Sequence, residues 1–179
     1  MIGVGSVERG VGTTCVCLSF ATFLHSKLGM KTAYIELNTT DQIRSLSKKN
    51  SLEPFIHQGI HIYPSTKVTS LSEILNKDFD YVILDMGVLT NYTAIEFSKC
   101  QKQFLVCDFC QWKTKIQLER IKNLTQNKKI QQKGIVFLSV KNESTYQTLT
   151  NNTWKTFPFI TNPFQLTVTV FHALNLLLV

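Results

Sequence analysis

The sequence has few charged residues and no long apolar run. Charged residues make up 17% of its 179 positions and hydrophobic residues 44%, a globular composition that excludes an intrinsically disordered chain. No apolar stretch reaches the roughly 20 residues that a helix needs to span a bilayer. The opening residues, MIGVGSVERG, lack the basic and apolar segments of a signal peptide. These absences predict one cytoplasmic domain over residues 1–179.

The five cysteines do not form the pattern of a zinc site. Cys15 and Cys17 fall two positions apart on a predicted helix, where they point to different sides and cannot pair easily. Cys107 and Cys110 form a C-x-x-C, but no second pair at ligand spacing completes four ligands. Two interpretations of Cys107 and Cys110 stay open, namely buried thiols at a strand end and a redox pair.

The chain is basic, with a formal net charge of +7. Its basic residues are mostly scattered lysines, and arginine occurs only at Arg9, Arg44 and Arg120. A solvated surface explains most of this charge, while weak attraction to DNA or to an anionic membrane surface is the alternative. Basic and aromatic residues do not interleave as they do in proteins that read single-stranded nucleic acid.

Short apolar runs alternate with longer amphipathic stretches along the whole chain. Strands are predicted at 1–5, 31–37, 59–64, 80–87, 103–109, 133–140 and 156–161. Helices are predicted at 11–29, 39–49, 70–77, 91–100, 113–127, 143–154 and 164–179. This alternation predicts an α/β fold of three layers, a mostly parallel twisted sheet with helices on both faces. Ligands of such folds bind at the carboxyl ends of the strands.

A glycine-rich stretch, GVGSVERGVGTTCV, lies between the first predicted strand and the first predicted helix. The strict Walker A pattern G-x-x-x-x-G-K-[ST] is absent. The dinucleotide pattern G-x-G-x-x-G is absent too, because Glu8 stands at its third glycine. For Gly10 and Gly12, a tight turn that packs closely on the sheet is the alternative to a phosphate-binding loop.

The segment VERGVGTT resembles the deviant Walker A loop of the ParA/MinD family, K-G-G-x-G-K-[ST]. On that pattern Glu8 stands in place of the signature lysine, Arg9 replaces a glycine and Thr13 replaces the second lysine. The positions that match the pattern are Gly10, Val11, Gly12 and the magnesium-binding hydroxyl of Thr14.

Three further segments are similar to the same family. In YIELN, Glu36 stands where the family carries the carboxylate that orients the attacking water, and Asn38 replaces a second acid. In DYVILDMG, Asp85 stands at the acid close to Mg²⁺. The stretch FPFITNPF resembles the last strand and turn near the adenine. Together these segments cover nearly the whole chain in the family's order, and they imply a P-loop NTPase fold of ParA/MinD type.

The resemblance implies a binding site for ATP or ADP with Mg²⁺. The nucleotide would lie on Arg9, Gly10, Val11, Gly12, Thr13 and Thr14, and the metal on Thr14 and Asp85. Glu36 would act on water if the protein were active. A charge-assisted contact to phosphate is worth roughly 1.5–3 kcal/mol, so the loss of both lysines predicts a pseudo-ATPase whose site holds nucleotide weakly or stays empty.

The predicted role is therefore localisation or scaffolding. ParA/MinD-like proteins with damaged loops include the TadZ/CpaE-like proteins, which position Flp/Tad-type pilus assembly machinery. The resemblance also implies self-association as a dimer across the nucleotide face. Two alternatives stay open. One is an ATP-binding switch with slow hydrolysis through Glu36. The other is a DNA- or membrane-associated regulator. The expected location is the cytoplasm, with recruitment to the inner face of the membrane as an option.

Overall fold

A mostly parallel sheet runs through the centre of the computed structural model, which describes residues 1–48, 51–108, 113–126, 135–139 and 153–178. Within these ranges the sheet has eight strands in the order β3-β4-β2-β5-β1-β6-β7-β8. The β3–β4 pair is antiparallel and the other pairs are parallel. The strands are β1 (Ile2–Ser6), β2 (Thr32–Glu36), β3 (Phe55–His57), β4 (Ile60–Tyr63), β5 (Tyr81–Val88), β6 (Lys102–Cys107), β7 (Ile135–Ser139) and β8 (Thr153–Thr156).

Helices connect the strands and cover the sheet. They are α1 (Thr13–Thr22), which continues as one π-helical stretch over Phe23–Lys27, then α2 (Leu71–Leu75), α3 (Asn91–Ser98), α4 (Thr114–Gln126) and α5 (Val168–Leu178). Short 3₁₀ turns occur at Gln42–Leu46 and Val68–Ser70. Among the described residues, no helix combines the length and apolar character needed to cross a membrane.

Two apolar cores lie on opposite faces of the sheet. On one face, α1 and α5 cover the central strands, and the ring of Phe20 lies 4.8 Å from that of Phe104 and 6.3 Å from that of Phe157. On the other face, α3 and α4 bury Phe97 and Ile121 against the sheet. The three-layer α/β architecture predicted from the sequence is therefore confirmed.

The glycines of β1 are required by close packing. A Cβ atom on Gly3 would lie 2.6 Å from the sulfur of Cys100, and one on Gly5 would lie 2.7 Å from Leu89 Cδ2. Such separations are too short for carbon, so a side chain at either position would push the segment around α3 away from the sheet. The first two glycines of GVGSVERG thus serve packing.

Several predicted boundaries were wrong. The predicted helix over 39–49 is only the turn at Gln42–Leu46, and the antiparallel strand β3 was not predicted. The strand predicted at 156–161 occurs earlier, at Thr153–Thr156. Most of the helix predicted at 143–154 lies outside the described residues, and its last two positions belong to β8.

Candidate functional site

The loop over residues 7–12 joins β1 to α1 at the carboxyl edge of the sheet. Gly10 has φ 78° and Gly12 has φ 89°, left-handed conformations that favour glycine over residues with a Cβ atom. Gly12 caps the start of α1, where its carbonyl accepts a hydrogen bond from the amide of Val16 at 3.0 Å. The loop therefore leads directly into the N-terminus of α1, and a helix N-terminus favours a bound anion.

Thr14 and Asp85 meet beneath this loop. The Thr14 hydroxyl donates to Asp85 Oδ2 at 2.6 Å, and the Tyr34 hydroxyl donates to the same oxygen at 2.7 Å. The amide of Gly87 donates to Oδ1 at 3.0 Å. Burial raises the pKa of Asp85, and the hydrogen bonds from Thr14 and Tyr34 oppose that rise. The structure thus brings together the two residues predicted to hold Mg²⁺ and adds Tyr34, which the sequence did not indicate.

Glu36 lies beside Asp85, because the two residues are in register on β2 and β5. It is buried. Its Oε2 accepts from the Ser65 amide at 3.1 Å, and its Oε1 accepts from the Thr40 hydroxyl at 3.4 Å. Burial raises the pKa of Glu36, the Ser65 amide counteracts part of that rise, and the nearby Asp85 adds to it. The carboxylate thus lies close to the predicted metal position, where hydrogen bonds from Thr40, after β2, and Ser65, after β4, hold it.

Thr14 and Asp85 provide the oxygen ligands that Mg²⁺ prefers. No cluster of three His, Cys, Asp or Glu side chains in the described ranges is placed to hold a metal ion. A magnesium ion here would therefore need further oxygens from a bound phosphate. Mg²⁺ commonly binds in this way, through one or two protein ligands, substrate phosphates and water.

Glu8, in the place of the signature lysine, points toward α4. Its Oε1 lies 3.1 Å from Lys113 Nζ and accepts from Gln117 Nε2 at 2.7 Å. Its Oε2 lies 3.8 Å from Arg120, and Arg120 also donates to the carbonyl oxygen of Val7 at 3.2 Å. Glu8, which lies in the loop predicted to bind phosphate, is thus already paired with the cationic side chains of Lys113 and Arg120. The positions 113, 117 and 120 share one face of a helix, and that spacing is the signal that sequence reasoning missed.

A cavity of about 170 Å³ opens next to the loop. It is lined by Gly10, Val11, Gly12, Cys15, Val16, Asp108, Phe157, Pro158, Phe159 and Ile160. The structure therefore places the segment predicted to lie near the adenine against the loop. Small-molecule pockets usually measure about 300–1,000 Å³, so this cavity suits one ring system, while phosphates would lie outside it along the loop.

The remaining candidate residues differ in exposure. Arg9 is exposed and forms no hydrogen bond or ion pair within the described part of the chain. Thr13, in the place of the second lysine, is buried in the first turn of α1.

Burial raises the pKa of Cys107, which disfavours the reactive thiolate. Cys110 lies outside the described residues, so the redox interpretation stays a prediction.

The loop, the Asp85 carboxylate on β5 and the mostly parallel sheet match a P-loop NTPase fold of ParA/MinD type. No family model matches the chain, and no curated protein matches it. Solved structures of ParA/MinD-family ATPases do match. At the identities involved, this likeness shows the fold.

Three of these structures illustrate the likeness. A plasmid partition protein from Borrelia burgdorferi B31 bound to AMPPNP has a TM-score of 0.68 at 16% identity, covering 98% of this chain and 96% of that chain. A chain of the MinC:MinD cell division complex of Aquifex aeolicus has a TM-score of 0.60 at 17% identity, covering 79% of this chain and 68% of that chain. The septum site-determining protein MinD of Pyrococcus horikoshii OT3 with Mg-ADP gives 0.59 at 14%, covering 88% and 82%.

Proposed function

We propose that residues 1–179 form one ParA/MinD-like module that binds nucleotide weakly and does not hydrolyse it, and that acts by positioning a protein partner. One observation carries the proposal. The Thr14–Asp85 contact is intact, while Glu8, at the signature lysine position, is bound to α4. Such a site keeps the means to orient a magnesium-bound phosphate and lacks the loop lysines that stabilise charge in the transition state.

The magnitude of this loss separates binding from catalysis. Two missing charge-assisted contacts amount to roughly 3–6 kcal/mol, or about 10²- to 10⁴-fold. The backbone amides of the loop and the N-terminus of α1 remain, and they bind anions without any lysine. We therefore expect Mg-ADP and Mg-ATP to bind with similar, weak affinity, since no loop lysine is present to favour the additional charge of the γ-phosphate.

Thermal denaturation and a phosphate-release assay test this function together. A ligand present at ten times its Kd stabilises by about 1.4 kcal/mol, so millimolar Mg-ATP should raise the melting temperature. The rise should be smaller without Mg²⁺ and smaller in the Thr14→Ala variant, which lacks the hydroxyl that faces Asp85. Phosphate release should stay at background. Phosphate release above background would contradict the non-catalytic role. An unchanged melting temperature at millimolar nucleotide would contradict nucleotide binding and would favour a scaffold that works without nucleotide.

An ATP-binding switch with slow hydrolysis is the second candidate. The observation in its favour is the buried Glu36, in register with Asp85 on the neighbouring strand. If the switch is correct, phosphate release is measurable and Glu36→Gln abolishes it while the nucleotide-induced thermal shift remains. Release that survives this substitution would point to a contaminant.

The net charge of +7 motivates a third candidate, a regulator that contacts DNA or an anionic membrane surface. Binding that depends on released counterions weakens steeply as salt rises. A titration of duplex DNA or anionic vesicles at low and physiological salt tests this candidate, and absence of binding at low salt would remove it.

The partner that we propose belongs to Flp/Tad-type pilus or secretion machinery, in the manner of TadZ/CpaE-like proteins. The module would work in the cytoplasm as a dimer, recruited by that machinery to the inner face of the membrane. The support is the ParA/MinD-type fold combined with a loop that lacks both lysines. Pilus assembly genes beside the gene for this chain, and a dimer in gel filtration without nucleotide, are the expected observations. Their absence would remove the pilus assignment and the nucleotide-independent dimer.

A further inference from the structure

Two cationic side chains, one on α4 and one directly before it, contact Glu8 in the loop. Lys113, directly before α4, lies 3.1 Å from Glu8 Oε1 and 3.7 Å from Asp108 Oδ2. Arg120 lies 3.8 Å from Glu8 Oε2. Asp108 also lines the cavity beside Gly10 and Gly12. Lys113 is therefore held between the loop and the rim of the cavity, although it is 105 positions away from Glu8 in the chain.

Partial burial strengthens this contact. The side chain of Glu8 is 14% exposed and that of Lys113 is 26% exposed, so water and salt screen the pair less than an open surface pair. Gln117 adds a hydrogen bond to the same Glu8 oxygen and another to the Asp108 carbonyl oxygen, at 2.8 Å. The Lys113 ammonium is thus already in contact with the carboxylates of Glu8 and Asp108.

We propose that Glu8 is an internal competitor of phosphate, and that Lys113 is the cation for which the two compete. With Glu8 bound, Lys113 is withheld and the loop binds anions weakly. A phosphate group in the loop displaces the Glu8 carboxylate and takes the Lys113 ammonium. Lys113, directly before α4, then supplies a positive charge in place of the two missing loop lysines. This inference rests on the proposed nucleotide site and extends it by naming its cation and its inhibitor.

Calorimetric titration of Mg-ADP into four proteins tests this inference. They are the wild type, Glu8→Gln, Glu8→Gln with Lys113→Ala, and Glu8→Gln with Lys115→Ala as the matched control. Lys115 is exposed and lies two positions further along, on a different side of the helix. We expect Glu8→Gln to bind roughly tenfold more tightly, the size of one charge-assisted contact. Lys113→Ala should cancel that gain, and Lys115→Ala should keep it.

The salt dependence gives a second readout. The gain from Glu8→Gln should shrink between about 50 mM and about 300 mM salt, because it comes from a charge. The inference is overturned if Glu8→Gln gives no gain in affinity, or if the gain is the same whether position 113 holds lysine or alanine. A gain that persists in Lys113→Ala and disappears in Arg9→Ala would also overturn it, since Arg9 would then be the cation. Glu8→Ala repeats the series if the glutamine variant fails to fold.

The two proposals fail in different ways. Phosphate release above background contradicts the non-catalytic function and leaves the competition between Glu8 and phosphate intact. If neither the wild type nor Glu8→Gln binds millimolar Mg-ADP, the competition is refuted, because removal of the Glu8 charge did not create a phosphate site.

Discussion

The two ends of the site are built by different kinds of contact. One end, where Mg²⁺ is proposed to bind and which we call the metal end, consists of Thr14 on α1 and of Tyr34 and Asp85 on two central strands. The hydrogen bonds from Thr14 and Tyr34 to the buried Asp85 carboxylate measure 2.6 and 2.7 Å. At the other end, the charge end, Glu8 contacts Gln117 and Arg120 of α4 at 2.7 and 3.8 Å and Lys113, directly before α4, at 3.1 Å; the side chain of Arg120 is half-exposed.

This difference separates two uses of charge. A buried hydrogen-bonded carboxylate is expensive to disturb, because its donors lose their partner where water cannot replace it. The Glu8–Lys113 pair keeps 14% and 26% side-chain exposure, so water or another anion can still reach it and take the place of one partner. The metal end is therefore suited to a fixed structural role, and the charge end to competition with a ligand.

The largest effect should follow Asp85→Ala. The substitution leaves the hydroxyls of Thr14 and Tyr34 without their acceptor in a buried place, while relief of a desolvated charge offsets part of the loss. We expect the free energy of unfolding to fall by about 2–4 kcal/mol. Urea denaturation measures it, and Asp78→Ala at a fully exposed site should change it by less than about 0.5 kcal/mol. A loss below about 1 kcal/mol for Asp85→Ala would erase the contrast between the two ends.

Tyr34→Phe should have a smaller effect. It removes one donor to Asp85, whose carboxylate still accepts from Thr14 and Gly87. We expect a loss of about 1 kcal/mol in the free energy of unfolding. The exposed Tyr92 offers the matched control, Tyr92→Phe, which should change the free energy very little. Equal melting temperatures for the two variants would show that the Tyr34 hydroxyl does not support the metal end.

The pH dependence of stability tests the buried Glu36. Its folded pKa is raised above the ordinary value of 4.5, so the folded state holds this proton more tightly than the unfolded state. The wild type should therefore lose stability relative to Glu36→Gln as pH rises from about 4.5 through the raised pKa. Denaturation of both proteins across this range measures the difference, with Glu53→Gln as a surface control. A wild type that gains stability relative to Glu36→Gln as pH rises would contradict the assigned direction.

Much of the fold followed from the sequence. Nearly continuous apolar runs such as 80–87 predicted strands buried on both faces, and their alternation with helices predicted the layers. The resemblance to the ParA/MinD family implied that Thr14 and Asp85 share a magnesium site, and the structure brings the two residues together. The fold predictions rest on local patterns, and the pairing of Thr14 with Asp85 rests on the resemblance.

The parts that were missed depend on contacts between distant positions. Tyr34 lies in a strand that is buried throughout, so no alternation marks its hydroxyl as polar and functional. Glu8 stands at the signature lysine position, and its sequence neighbours do not show which residues it contacts. Its partners Lys113, Gln117 and Arg120 come from α4 and the residue directly before it, more than 100 positions away. Only the fold shows that this helix reaches the loop.

The smallest effect on stability should come from Glu8→Gln, and it gives the sharpest comparison between the two ends. The amide oxygen of glutamine can still accept from Gln117, so the substitution removes charge and little packing. We expect a loss of less than about 1 kcal/mol at low salt, and less again at about 0.5 M salt, because partly exposed ion pairs are weak and screened. Urea denaturation at both salt concentrations measures it, with Lys115→Ala for comparison. A loss as large as that of Asp85→Ala, unaffected by salt, would show that Glu8 is a structural element and not an exchangeable anion.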